Sequence, residues 1–276
     1  MSFERSDLTF APVFSPRRIA ALLLRHLYLL RSSWPRLVEM AYWPTVQLFL
    51  WGFMTKYLAS HSGFFVQTFG MLLSAVMLWD VLFRGQLGVA ISFLEEMWSR
   101  NLGHLFVSPL RPAELIATLL TMSVIRTLLG ALPVSVLAIW FFDYSIYGLG
   151  LPLVGFFCNL LIMGWATGLA VSGLVLRHGQ GAESLAWVSI FAISPITGIW
   201  YPIAVLPDWL QPVAWALPSA HVFEGMRAIM IHGAYRADLM LSASLINLIY
   251  IAVGAAIFLN YFRLARRDGQ LLQMGE

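Results

Sequence analysis

The chain has 276 residues, 59% of them hydrophobic and 11% charged, with a formal net charge of +3 and a mean hydropathy of +0.77. Soluble domains carry about 25% charged residues, so this composition excludes one and predicts an all-α polytopic membrane protein. The single cysteine, Cys158, excludes an intramolecular disulfide and reads as a buried, inert thiol.

Met1 to Ser15 reads as a loose tail, with no leading apolar run and so no cleavable signal peptide. Pro16 to Pro35 differs. Ile19, Leu22, Leu23, Leu27 and Leu30 recur at helical spacing, while Arg18 and Arg25 fall seven apart. A Leu-rich face with basic residues opposite predicts an amphipathic helix over 16–35 lying in the membrane interface. A first spanning helix is the alternative, and Arg25, His26 and Arg31 argue against it.

Spanning takes about 20 residues. Apolar segments near 36–58, 65–92, 113–142, 151–176, 184–201 and 238–262 predict six transmembrane helices, which puts both termini on one side. Twelve basic residues then share a side: Arg5, Arg17, Arg18, Arg25, Arg31, Arg36, Arg100, Arg111, Arg177, Arg263, Arg266 and Arg267. Lys56, Arg227 and Arg236 fall on the other. By the positive-inside rule both termini are cytoplasmic.

The cytoplasmic connection Glu95 to Leu115, EEMWSRNLGHLFVSPLRPAEL, is amphipathic and carries both signs of charge. It predicts a short helix from Leu94 to about Leu102, a break at Gly103 and a turn at Ser108-Pro109, within a segment spanning 94–112. Trp98 and Phe106 are more than a solvated loop needs. Two readings stand: anchors at the membrane interface, or a docking knob for a partner.

From Ser184 to Arg227 an apolar run is interrupted by Pro195, Pro202, Pro207, Pro212 and Pro218, each lacking an N–H and disfavouring helix just before it. Broken backbone at membrane depth survives only when buried or lining a wet cavity. The stretch 202–233 therefore predicts a re-entrant helical hairpin before the last crossing. Pro207 would open its first helix with Asp208 and Trp209 in the first turn, Ser219 would N-cap the second, and Gly233 would end it.

Charges inside the membrane are weighed one by one. Asp80 and Arg84 stand at i, i+4, either a self-neutralised pair or a gate and headgroup contact. Glu224 and Arg227 stand at i, i+3 and read as a structural pair or a pathway contact. Arg126 has no local partner; Glu39 or a lipid phosphate are its options. Trp187, Trp200, Tyr201, Trp209 and Trp215 suit an interfacial belt, and the same rings suit sugars or lipid chains.

Other chemistries fail. His104, His178, His221 and His232 lack zinc-ligand spacing; no nucleophile motif occurs; Glu95 and Glu96 are neighbours pointing different ways and not a glycosidase pair. No basic patch with interleaved aromatics suggests nucleic acid. The only lysine, Lys56, follows no Gly-rich phosphate loop, so no nucleotide site is visible.

Two stretches carry a resemblance. Glu95-Glu96, Gly103 and Ser108-Pro109 resemble the coupling segment of ABC-2 type exporter permeases. Pro195, Gly198, Tyr201-Pro202, Leu206-Pro207, Trp209-Leu210, Pro218 and Arg227 resemble the signature region of the same family. The resemblance implies one ABC-2 type transmembrane domain over 1–276 in a bacterial inner membrane, acting as the permease subunit of an ATP-driven exporter. It implies a partner ATPase holding ATP and Mg, with no cofactor on this chain, docked at a cytoplasmic coupling helix through Glu95, Glu96, Trp98 and Arg100. It also implies a second copy or sister permease, membrane lipid as surroundings, and an amphipathic or lipid-linked substrate. Pathway or gate residues would come from Asp80, Arg84, Trp200, Tyr201, Trp209, Glu224 and Arg227. The alternative is an autonomous secondary transporter or a membrane-embedded lipid-modifying enzyme. A secondary transporter should repeat its broken region in both halves, and only one is visible.

Overall fold

Proline opens four of the helices. Pro16, Pro112, Pro152 and Pro218 each occupy the first helical position, where the missing N–H costs nothing and the fixed φ suits the helix. The computed structural model describes residues 14–61 and 63–267. Its helices are α1 (Pro16–Arg31), α2 (Trp34–His61), α3 (Gly63–Trp98), α4 (Leu102–Val107), α5 (Pro112–Phe142), α6 (Pro152–His178), α7 (Leu185–Ile193), α8 (Gln211–Trp215), α9 (Pro218–His232) and α10 (Ala237–Arg267). Most of the tail expected over Met1–Ser15 lies outside the described residues, as does the side chain of Phe106.

The bundle is built on α6, which packs along α3 on one side and α10 on the other. Small residues set both seams. A Cβ on Gly164 would lie 2.8 Å from the backbone of Leu82 and Gln86 in α3, and one on Gly254 would overlap the carbonyl of Ala166. In a membrane, helices associate through such close backbone approach and through interhelical hydrogen bonds. Asn247 supplies the latter, donating Nδ2 to the Asn159 carbonyl at 2.9 Å and to its Oδ1 at 2.8 Å. Gln86 donates to the Ala186 carbonyl at 2.7 Å and holds α7 on α3. Apolar side chains fill two clusters. One, around Phe156, Phe223 and Met226, lies by the α5–α6 connection. The other, around Phe93, Leu102, Leu115, Leu176 and Ala265, lies at the opposite end. Leu132, Val136 and Trp140 of α5 and Leu241, Leu245 and Leu248 of α10 are exposed. So broad an apolar flank belongs against lipid.

Four helices are long and apolar enough to cross a membrane among the described residues, not six: those ending at Trp98, Phe142, His178 and Arg267. The segment expected at 36–58 does form a helix, α2, but Arg36, Glu39, Gln47 and Lys56 lie along it and it is not among the four. The segment expected at 184–201 makes only the nine-residue α7 before Pro195 turns it into 3-10 backbone. At 1.5 Å per residue α7 rises about 14 Å, half of the roughly 30 Å hydrocarbon core.

No re-entrant hairpin is identified over 202–233. Pro207 opens a turn instead of a helix, and α8 has five residues. Only α9 is substantial, and it packs against α6 and α10. Ser219 lies inside its first turn with Leu217 as N-cap; Gly233, at φ 63°, does end it. No coupling helix is identified either. The run LEEMW holds no breaker, so α3 continues to Trp98, and the break falls at Arg100 and not at Gly103. Arg100 takes a left-handed φ of 52°, while the N–H groups of Arg100 and Asn101 reach back to Met97 and Glu96 at 3.0 Å, a Schellman closure. Gly103 sits within the six-residue α4. Cys158 is exposed on α6 and not buried.

Because Gly254 meets backbone that cannot yield, Gly254→Leu is expected to lower stability by about 1–3 kcal/mol, read as a lower thermal midpoint in detergent. Gly181→Leu, where a Cβ meets nothing within 4 Å, leaves the midpoint unchanged.

Candidate functional site

The 36 residues of α3 carry the candidate site on one stripe. Val76, Asp80, Phe83, Leu87, Ile91, Leu94 and Trp98 follow at intervals of three and four and line two adjoining chambers. The first, about 320 Å³, is apolar and bounded by Leu48, Val76, Trp79 and Val134. The second, about 290 Å³, is charged and bounded by Arg36, Glu39, Arg84, Glu95, Arg126 and Glu183. Trp43, Phe83 and Trp187 line both, so the two lie side by side along a groove between α2, α3, α5 and α7. From Val76 to Trp98 it runs about 33 Å along the helix.

Asp80 and Arg84 stand where the chambers join. Arg84 Nε donates to Asp80 Oδ2 at 2.6 Å, within one face of the helix, as the i, i+4 spacing predicts. Asp80 faces the apolar chamber and Arg84 the charged one. A buried charge is costly unless paired, and here each neutralises the other.

Glu95 and Glu96 diverge as consecutive helical residues must. Glu95 accepts from Arg126 Nη2 at 2.7 Å and lies 3.4 Å from Arg36 Nη1. Glu96, 1% exposed, is bound by Arg25 and accepts from Asn101 Nδ2 at 2.7 Å. Glu114 completes the set, accepting from Ser15 N at 2.7 Å, Arg18 Nε at 3.1 Å and Arg111 N at 2.9 Å, with Arg18 Nη2 2.8 Å away as an ion pair. Three carboxylates of α3 and α5 thus clamp α1 and the start of α2 to one end of the bundle. Beyond the clamp, Trp98 is 45% exposed and donates Nε1 to Glu183 at 3.2 Å, and Arg100 is exposed.

The remaining predicted residues gather elsewhere, by the α5–α6 connection. Arg227 binds the Gly198 carbonyl, donates to that of Ile199 at 3.1 Å and reaches Glu224 Oε1 at 3.1 Å. Glu224 in turn accepts from Ile203 N at 2.8 Å. The pair therefore ties down the irregular backbone of 198–203. Within that segment Trp200 packs its ring 4.6 Å from Trp51, and the Tyr201 hydroxyl donates to the Pro195 carbonyl at 2.7 Å. Trp209 stands apart, 74% exposed. Sequence reasoning did not assemble Arg36, Glu39, Trp43 and Trp187 around the groove; the apolar stripe of α3 was the signal for its floor.

His26, 1% exposed, sits inside the clamp 3.4 Å from Glu96, with neither ring nitrogen hydrogen-bonded. Burial holds its imidazole below the ordinary value, aided by Arg126 and Arg25 and opposed by Glu96 and Glu95. The unfolded chain then takes up the proton first as pH falls through about 6.5, so stability present at neutral pH is lost below it. His26→Leu is expected to flatten that acid-side loss in a series of thermal midpoints from about pH 7.5 to 5, with the wild type falling more steeply.

No group of three or more His, Cys, Asp or Glu side chains suited to a metal occurs among the described residues. No curated protein matches the chain at a significant level. A family model described as ABC-2 type transporter matches residues 21–231, well over half of the chain. Members of that family are transport subunits and not enzymes. The chain, a multi-pass membrane protein, belongs to the ABC-2 type transporter family.

Proposed function

We propose that this chain is the permease subunit of an ATP-driven exporter that moves an amphipathic or lipid-linked molecule out of the cytoplasm or the inner leaflet. The observation that carries the reading is the groove along α3, charged at one end and apolar toward the middle. Its length of about 33 Å matches a hydrocarbon core of about 30 Å. A head bearing charge would rest among Arg36, Arg126 and Glu95, with its chain among Leu48, Val76 and Trp79. The Asp80–Arg84 pair stands between and would act as a gate. Trp200, Tyr201, Trp209, Glu224 and Arg227 would act at the far end, Trp209 by offering an exposed ring and the others by holding the 198–203 segment.

ATP and Mg would bind a separate ATPase subunit, and a second copy or sister permease would complete the pathway. The clamped end carries Arg18, Arg25, Arg36, Arg100, Arg111 and Arg177, against Lys56, Arg227 and Arg236 at the other. We assign that basic end to the cytoplasm of a bacterial inner membrane. Segment 94–112 then faces the ATPase, with Trp98 and Arg100 touching it and Glu95 and Glu96 fixing the helix end behind them.

Co-reconstitution tests the reading. Outward movement of a fluorescent lipid analogue in proteoliposomes should require both this chain and a partner ATPase subunit. Movement by this chain alone, driven by an ion gradient, would sink the proposal. Trp98→Ala is expected to weaken ATPase capture by about thirtyfold, the equivalent of about 2 kcal/mol for an aromatic hot spot, with membrane insertion unchanged. Glu183→Gln, which keeps the Trp98 ring, leaves capture intact.

A further inference from the structure

We propose that the charged chamber is a phosphate site, holding the phosphodiester of a lipid or a free phosphate between Arg126 and Arg36. The proposal rests on the amphipath groove described above and names the group recognised at its charged end.

Arg126 lines the chamber at 8% exposure. Its one acceptor among the described residues is Glu95, reached through Nη2 at 2.7 Å, and its buried Nε–H has none. A guanidinium carries five N–H donors, and leaving them unmatched away from water is costly. Glu95 is also shared. Arg36 lies 3.4 Å from it on the chamber's other wall, so one carboxylate faces two guanidinium groups. The third cation, Arg84, is already neutralised by Asp80. With Arg84 paired to Asp80, the chamber keeps Arg36 and Arg126 against Glu39, Glu95 and Glu183, one carboxylate in excess, but Glu183 accepts from Trp98 and neither Glu39 nor Glu183 binds Arg126. An oxyanion entering between Arg36 and Arg126 supplies the missing acceptors. Arginine pairs with phosphate through two parallel hydrogen bonds, which suits planar donors presented from facing helices. The chamber of about 290 Å³ shares Trp43, Phe83 and Trp187 with the apolar one beside it, which is where an acyl chain attached to that phosphate would lie.

The purified full-length chain in non-ionic detergent is titrated with a fluorescent-tailed phosphatidylglycerol and with the diacylglycerol bearing the same tails. Inorganic phosphate serves as competitor. The phospholipid is expected to bind at least about tenfold more tightly than the diacylglycerol. Arg36→Gln and the charge-balanced pair Glu95→Gln with Arg126→Gln should each remove that preference and leave diacylglycerol binding unchanged. Arg126→Gln alone leaves the Glu95 carboxylate with only the more distant, half-exposed Arg36, so the pair and Arg36→Gln carry the test. Displacement by millimolar inorganic phosphate assigns the site to free phosphate; resistance to it assigns the site to the lipid headgroup. Equal binding of the two lipids by the wild type, or a preference that both variants keep, overturns the phosphate site and leaves the groove standing. Failure of both lipids to bind overturns the groove as well.

Discussion

Carboxylates held away from water must be paired, and three of them decide how the N-terminal part of this chain lies. Glu95, Glu96 and Glu114 project from the neighbouring ends of α3 and α5 and are almost fully enclosed. Left alone, each would be costly to bury. Arg18, Arg25 and Arg36 answer them from α1 and α2, and Arg126 answers from within α5. The position of α1 therefore follows from charge as much as from its Leu-rich face. Removing Arg18 or Arg25 would leave a buried carboxylate without its arginine rather than simply delete a contact, whereas Glu95 has two. Arg126 makes the clamp more than a fastening, because it reaches Glu95 from the wall of the groove.

The opposite seams are set by the absence of side chains. Gly164 and Gly254 let α6 approach α3 and α10 to backbone contact, and Asn159 and Asn247 fix the register of the second seam. With α6 held on both sides, α2 and α7 are the elements left to wall the groove. Gln86 pins α7 through the backbone of Ala186, so this short helix is placed by a hydrogen bond from α3 where its own length would not place it.

What was legible in the sequence is what depends on neighbours along the chain. Segments expected at 113–142, 151–176 and 238–262 appear as α5, α6 and α10 within a few residues at each end. Asp80 finds Arg84 and Glu224 finds Arg227 because one helical turn separates them. Arg126 does not reveal Glu95, since they lie 31 positions apart and only tertiary packing joins them. The count of crossings failed for a related reason. An apolar run signals burial without saying in what: α7 turns Ala186 and Ile190 into the bundle and leaves Val188 and Phe191 on its flank, in too few turns to cross. The proline-rich stretch was read as a hairpin because broken backbone needs a burial site. Arg227 and Glu224 meet that need directly, by hydrogen-bonding the carbonyls and N–H groups of 198–203.

Trp43, Trp187 and Phe191 line the groove and are also exposed on the flank of the bundle. With α7 covering about 14 Å of its height, the apolar chamber is open sideways. An occupant that arrives by this route comes from the plane of the bilayer and never crosses bulk water. Its occupancy then follows mole fraction among the surrounding lipids, a two-dimensional concentration, and every ordinary lipid is a competitor. Discrimination at such a mouth has to come from the head, since the tails of friend and rival are alike.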